Sequence, residues 1–228
     1  MKGDIPLSML CNTLGKPDSI RALPPGLSVQ EKCTAVNWLL ASVMNVKSNI
    51  RTSLLSRRLD LSSTELTEKS KSIQNTIINS VLFQKARTIG CYLPIKNEVM
   101  TKNLMEFATN DSKIVAVPKI KDHMMVFQDY AFADQLGKNK FGILENEGQV
   151  IQPNEFDLII CPTLAADLHG NRIGYGQGYY DRYLLKAVNA KFVALIFDFQ
   201  FLDERIIAEP HDVSMDYLCN ENELIKVK

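Results

Sequence analysis

Paired cysteines are missing from this chain: Cys11, Cys33, Cys91, Cys161 and Cys219 are scattered with no Cys-x-x-Cys motif, and the three histidines are equally dispersed. A zinc site or a disulfide framework is therefore not expected, and the odd cysteine count fits a reducing, cytoplasmic setting. Cys91 and Cys161 stand in apolar, strand-like runs, where they read as small buried hydrophobes. An excess of charge of either sign is also missing. Lys plus Arg and Asp plus Glu each number 26, so no overall field draws the chain to nucleic acid or to an anionic membrane, and neither is expected as a partner. The apolar run around the single tryptophan, residues 36–44, is too short to span a bilayer. A signal peptide does not fit either: Asp4 and Pro6 interrupt the start, and Leu10 stands where a lipoprotein box before Cys11 needs a small residue. The P-loop ending Gly-Lys-Ser/Thr, the Rossmann Gly-x-Gly-x-x-Gly and the usual serine or cysteine triad signatures are absent as well.

What is present is 228 residues, 46% hydrophobic and 23% charged, enough for one full core or one domain with an appendage. Residues 1–43 carry Pro6, Pro17, Pro24 and Pro25 with little periodicity. They read as an irregular N-terminal extension, either poorly ordered or upstream of a true start at Met44, and residues 44–228 read as the folded domain. From Val46 the pattern is regular. A basic helix covers Lys47 to Arg58, and a second opens at the capping-box spacing Ser62-Ser-Thr-Glu65 and carries Leu66, Ile73, Ile77 and Leu82. Strands are expected at about 87–93, 113–118, 124–127, 156–161 and 192–197, with helices at about 99–109 and 180–189. Strands that alternate with helices and are apolar on both faces argue for an α/β domain whose largely parallel sheet is covered on both sides.

Four of the eleven glycines fall within residues 170–178, followed at once by Tyr179-Tyr180-Asp181-Arg182. This loop is expected to join the buried strand near Cys161 to the helix that begins near Tyr180, at the sheet edge where ligands bind. Glycines let backbone N–H groups approach an anion, the following helix N-terminus adds partial positive charge, and Arg172 offers a planar fork for phosphate oxygens. Asp181 is a hard oxygen ligand for a magnesium ion accompanying a nucleotide. The plainer reading is an ordinary turn with two core tyrosines. Three further groups are candidates. Lys47 and Arg51, four apart, share a helix face. Glu98 follows Tyr92-Leu93-Pro94, either as a helix-dipole carboxylate or as an acceptor for a ring edge with adjacent N–H and amino groups, as a pterin has. His211-Asp212, with Asp216 nearby, could contribute a metal ligand.

Together these residues resemble the 5-formyltetrahydrofolate cyclo-ligase (methenyltetrahydrofolate synthetase) family. The resemblance is carried by Lys47-x-x-x-Arg51, Tyr92-x-Pro94-x-x-x-Glu98, Val117-Pro118, Phe141-Gly142-Ile143-x-Glu145 and Asp167-x-x-Gly170-x-Arg172-x-Gly174-x-Gly176-x-Gly178-Tyr179-Tyr180-Asp181-Arg182. It continues through Phe197-Asp-x-Gln200 and His211-Asp212. It implies a three-layer αβα sandwich and an ATP- and Mg2+-dependent closure of 5-formyltetrahydrofolate to 5,10-methenyltetrahydrofolate, with ADP and phosphate released. It also implies that Lys47, Arg51, Arg172, Gly174, Tyr175, Gly176, Gln177, Gly178, Tyr179 and Tyr180 hold ATP, and that Asp181 and Asp212 hold magnesium. Leu93, Glu98, Phe141 and Tyr179 would contact the folate, and Arg172, Lys47 and Asp181 would carry the catalysis, with Asp181→Ala losing turnover while keeping the fold. The chain departs from the family pattern at Asn146, where proline is usual, and at Cys219-Asn220, where Thr-Glu is usual.

The rivals are a non-catalytic nucleotide- or folate-binding relative, and a different phosphoryl-transfer or sugar-phosphate enzyme on a similar sheet. Glu98 in its Pro-x-x-x-Glu setting favours a pterin over the second. A monomer is expected. For the N-terminus, mass spectrometry of the native protein is expected to find either an extension or a start at Met44; a mature protein beginning at Met1 would rule out the later start.

Overall fold

The computed structural model describes residues 46–130 and 149–227, with the backbone of 137–138 and 144–145. Residues 1–43, Phe141 and Asn146 lie outside the described residues. The chain divides into two compact units, Met1–Ile50 and Arg51–Lys228. In the first, the described residues 46–50 are helical and Lys47 is buried. No described helix is long and apolar enough to cross a membrane.

The second unit opens with helix α1, residues 51–59. Helix α2 (Ser63–Ile78) starts at the expected capping box, with Ser62 Oγ accepting from Glu65 N at 3.2 Å and Glu65 Oε2 accepting from Ser62 N at 3.0 Å. The apolar pattern expected to continue through Leu82 is cut in two. Ser80 caps a new helix, α3 (Val81–Lys85), by accepting from Phe83 N at 3.2 Å, a local bond that outcompetes helix continuation.

Next come β1 (Thr88–Gly90), α4 (Lys102–Asn110), β2 (Ile114–Lys121), β3 (Met124–Asp129), β4 (Gly137–Lys138), β5 (Leu144–Glu145), β6 (Val150–Ile151), β7 (Leu158–Cys161), β8 (Ala165–Asp167) and β9 (Arg172–Ile173). The last are α5 (Tyr179–Leu184), β10 (Lys191–Leu195), β11 (Phe201–Leu202), β12 (Tyr217–Cys219) and β13 (Leu224–Lys226). Eight strands form one sheet in the order β13-β12-β10-β7-β1-β2-β3-β6. Its centre, β12 through β2, is parallel, and β13, β3 and β6 are antiparallel edges.

Side chains alternate across this sheet as period-2 strands require. Leu158, Ile160, Val193, Leu195, Val115 and Val117 pack with α2, α3 and α4 through Ile73, Ile77, Phe83, Leu104 and Met105. Ile159, Cys161, Phe192, Ala194 and Ala116 face the other way, toward Phe127, Phe156, Tyr183, Leu184 and Ala187. The sheet thus has a packed layer on each face, as the apolar strands imply.

Three boundaries differ from the sequence reading. The helix expected from residue 99 begins at Lys102, because Tyr92 Oη donates to Val99 O at 3.0 Å and Thr101 Oγ1 to Tyr92 O at 2.8 Å, which fixes 99–101 against β1. The helix expected to reach 189 ends at Leu184, and the chain continues in turns closed by Lys186 N to Tyr183 O and Ala187 N to Leu184 O. The third is topological: β7 does not feed the glycine loop directly. An antiparallel β8–β9 hairpin intervenes and joins β11 in a three-stranded sheet of order β11-β8-β9.

Asp167 holds this hairpin. Its Oδ1 accepts from His169 N and Asn171 N, both at 2.9 Å, and its Oδ2 from Asn171 Nδ2 at 2.8 Å and Ile206 N at 2.7 Å, so a buried carboxylate is fully hydrogen-bonded. Gly170, at φ +78°, turns the hairpin and exchanges a bond with Met215, whose N donates to Gly170 O at 2.8 Å. A Cβ at Gly170 would lie 2.6 Å from the Met215 carbonyl oxygen. Gly170→Ala is therefore expected to lower unfolding stability by about 2–3 kcal/mol in urea titration, from backbone strain and a clash that cannot relax by moving a side chain.

Candidate active site

Chain order reverses between β1 and β7: β1 leads on to β2 on one side, whereas β7 leads on to β10 and β12 on the other. The crevice outside the carboxyl ends of such strands is where α/β sheets bind ligands. The loop after β1, residues 91–98, and the exit of β7 at Thr163 flank it, and the glycine loop reaches both through α1. Arg51 Nε donates to Gly174 O at 2.9 Å, and Arg58 donates from Nε to Lys96 O at 2.9 Å, from Nη1 to Thr163 O at 3.3 Å and from Nη2 to the Tyr175 hydroxyl. Gln200 secures the same corner by donating to Thr163 O at 3.1 Å and Leu164 O at 2.8 Å.

The glycine loop takes shape accordingly. Gly176, at φ +91°, lies beside the Arg51 guanidinium, and Gly178, at φ +65°, is the N-cap of α5. α5 has only six residues, so any dipole contribution to anion binding is smaller than the expected ten-residue helix implies. Arg172 Nη2 pairs with Asp181 Oδ1 at 2.9 Å, and Arg172 Nη1 donates to Val213 O. Val213 N donates to the same Asp181 oxygen at 3.1 Å. Tyr179 lies under the Arg182 guanidinium at 5.1 Å, while the exposed Gln177 gives its carbonyl to Arg182 Nη1 at 3.1 Å. Tyr180 sets its ring edge-on to Phe127 at 6.3 Å, and its buried hydroxyl has no hydrogen-bond partner among the described residues.

Glu98 is 3% exposed. Its Oε2 accepts from Ile95 N at 2.9 Å, and its buried Oε1 finds no hydrogen-bond partner among the described residues. The carboxylate is thus tied to its own turn, not to the N-terminus of α4. Burial pushes its carboxyl above the usual glutamate range, opposed by the Ile95 N–H, the Arg58 guanidinium, the Tyr175 hydroxyl and the Lys96 ammonium. Lys96 and Asn97 hold positive φ, 48° and 55°, which a non-glycine chain adopts only when neighbours enforce it. Arg58 Nε on Lys96 O and Asn97 Nδ2 on Arg58 O, at 3.3 Å, do so. Leu93 is half-buried against the α2–α4 core.

The structure thus gathers Arg51, Gly174, Tyr175 and Gly176 at one end of the site, Arg172 and Asp181 at the other, and Glu98 beyond Tyr175. Lys47 belongs to the first unit. Tyr175 turns toward Arg58, Lys96 and Glu98: the Arg58 and Lys96 charges lie 5.8 and 5.4 Å from its ring. Asp212 closes a turn, with Glu209 N donating to its Oδ2 at 2.8 Å, and it immediately precedes Val213, so the Asp181 and Asp212 segments adjoin. Among the described residues no group of three or more His, Cys, Asp or Glu converges on a metal position. Two carboxylates still suit magnesium, which is commonly held by one or two carboxylates while phosphates and waters complete the octahedron. Burial raises the thiols of Cys91, Cys161 and Cys219 to about 12, so they are protonated and unsuited to nucleophilic work. Arg58 is the residue that motif reasoning passes over. Its one signal is position, two helical turns beyond Arg51 on the same stripe.

Fold and site define an α/β domain with a glycine loop, tied by arginines, at the switch point of a largely parallel sheet. The sequence model of the 5-formyltetrahydrofolate cyclo-ligase family matches residues 43–221, and the chain belongs to that family of ligases. A 5-formyltetrahydrofolate cyclo-ligase of Haemophilus influenzae is 29% identical over 153 residues, 64% of this chain and 82% of that protein. The solved 5,10-methenyltetrahydrofolate synthetase of Aquifex aeolicus superposes with a TM-score of 0.72 at 30% identity, covering 80% of this chain and 93% of its own. That of Mycoplasma pneumoniae gives 0.65 at 26% identity, covering 77% and 99%. These likenesses favour an active ligase over a non-catalytic relative.

The Arg172–Asp181 pair changes the outlook for Asp181→Ala. Its removal leaves the Arg172 side chain, 5% exposed, without its carboxylate. The variant is expected to lose roughly 1–3 kcal/mol of stability as well as turnover, less than for a fully buried pair because Asp181 is 19% exposed. Parallel thermal melts and initial rates of Asp181→Ala and Asp181→Asn check this; a melt matching the wild type would show the pair to be energetically neutral.

Proposed function

We propose that this chain catalyses the ATP- and Mg2+-dependent conversion of 5-formyltetrahydrofolate to 5,10-methenyltetrahydrofolate, within a domain spanning residues 44–228. The observation that carries the substrate is Glu98: a buried carboxylate oxygen with no hydrogen-bond partner within range among the described residues, close to Arg58, Lys96 and the Tyr175 hydroxyl, suits the adjacent N–H and amino donors of a pterin edge. An amide oxygen is a very poor leaving group, so the formyl oxygen first attacks the γ-phosphorus of ATP, forming an O–P bond as ADP departs. N10 then attacks the formyl carbon and gives up its proton, and the C–O bond breaks as phosphate leaves. No protein nucleophile is needed, which accords with the protonated, buried thiols.

The residues act by position and charge. Lys47, Arg51, Arg172 and the 174–180 loop hold the nucleotide, while Leu93, Glu98 and Tyr179, with Phe141, hold the folate. Bound magnesium would offset phosphate charge, with Asp181 and Asp212 as its protein ligands. The apo pairing of Arg172 with Asp181 suits this. Arg172 would face the phosphate and Asp181 the metal, so neither side chain would be left as an unmatched buried charge. A monomer acting in the cytoplasm, without nucleic acid or membrane partners, completes the proposal.

Formation of the methenyl product, followed by its near-ultraviolet absorbance with purified protein and 5-formyltetrahydrofolate, is expected only when ATP and Mg2+ are both present. Turnover unchanged by chelation would remove the metal assignment, and folate binding without turnover would favour the non-catalytic alternative.

A further inference from the structure

Arg58 is 1% exposed, yet its guanidinium is spread over three chain segments: the turn that presents Glu98, the exit of β7 and the glycine loop. A buried guanidinium is retained at a desolvation cost and must find acceptors for its donors. A purely structural tie between helix and sheet would not require these acceptors, since an apolar side chain of similar volume fills such a space as well or better. The acceptors it does find include the carbonyl of Lys96, the first of two consecutive left-handed residues that lead directly into Glu98. Asn97 returns the contact by donating to Arg58 O at 3.3 Å and Leu59 O at 3.4 Å.

We propose that Arg58 is a positioning residue for folate: it locks the 95–98 turn and Tyr175 to one another so that Glu98 Oε1 is aimed into the crevice. The role rests on the folate reading above and gives Tyr175, a member of the nucleotide loop, a second part beside Glu98 on the folate side. Arg58 acts through Glu98 and Tyr175 and touches no reacting atom. It also acts by charge. The groups facing Glu98 are Arg58 from α1, Lys96 from the same turn, Tyr175 from the glycine loop, Tyr92 from the end of β1 and Tyr180 from α5. Burial keeps the Tyr92 and Tyr180 phenols neutral well above ordinary pH, so the two cations oppose the burial that disfavours ionised Glu98. Only the carboxylate accepts two donors, so folate binding weakens as pH falls through the Glu98 titration. Removing the Arg58 charge moves that loss to higher pH.

The test uses the full chain and measures 5-formyltetrahydrofolate binding by equilibrium titration without ATP across pH, with steady-state KM for ATP alongside. Arg58→Met is expected to raise the folate Kd about tenfold or more, to raise the ATP KM by a clearly smaller factor because one of the three ties on the nucleotide loop is lost with it, and to shift the acid limb of binding alkaline. Arg58→Lys is expected to keep the limb near the wild-type position while the folate Kd stays raised, because it has the charge but not the fork. If Arg58→Met does not fold, Arg58→Lys carries the Kd comparison alone. An unchanged folate Kd, or equal losses for folate and ATP with an unmoved acid limb, would overturn the role. Wild-type binding without turnover would overturn the reaction and leave the role standing, whereas wild-type protein that binds no folate overturns both.

Discussion

The loop between β9 and α5, residues 174–178, has three glycines in five residues and no aliphatic side chain to bury, so hydrophobic packing does little to fix its shape. In this protein three arginines fix it. Arg51 holds the Gly174 carbonyl, Arg58 holds the Tyr175 hydroxyl, and Arg172 anchors the start of the loop to Val213 and Asp181. Arg58 ties α1 to the exit of β7 through Thr163 O, Arg172 stands on β9 of the small sheet, and the central strands of the large sheet are buried on both faces. The order of dependence runs from the apolar alternation of the strands, to the placement of α1 and β9, to three directional ties, and only then to the loop.

The same arrangement explains why a turn on the far side of the crevice can hold two residues in a left-handed conformation. Lys96 and Asn97 are kept there by bonds to α1, and Pro94 and Ile95 precede them without room for a regular element. The result is a buried glutamate whose Oε2 is bonded to its own turn and whose Oε1 has no hydrogen-bond partner within range among the described residues. Folded and unliganded, the raised Glu98 carboxyl opposes stability. That group's contribution is most favourable below the unfolded glutamate value and is lost as pH rises through the folded one.

Much of this was legible in the residues. Two-sided apolar strands, the Ser62–Glu65 box and the glycine-tyrosine-aspartate run each have a period or spacing that physics makes distinctive, and they point to the α/β class, the covered sheet and the candidate site. The β8–β9 hairpin was not legible, because strands of three and two residues are too short to show alternation. Neither was the division of α2 from α3, where one serine outweighs a continuing apolar stripe. Arg58 drew no reading beyond its place in a basic helix, since nothing in a helix sequence says that a strained turn 38 residues away will supply its acceptor. The Arg172–Asp181 pairing escaped for a related reason: across nine residues of irregular loop, spacing carries no directional information.

The segment just before β12 has a bearing on how the protein is made. Val213 closes on Arg172 and Asp181, Met215 closes on Gly170, and Asp216 accepts from Phe192 N at 2.9 Å. A nascent chain therefore carries the loop and its three arginines well before Val213 and Met215, which bond to Arg172, Asp181 and Gly170, and β12 must still pair with β10 after that. Those last contacts on the loop and the sheet can form only after the final stretch of the polypeptide has been made.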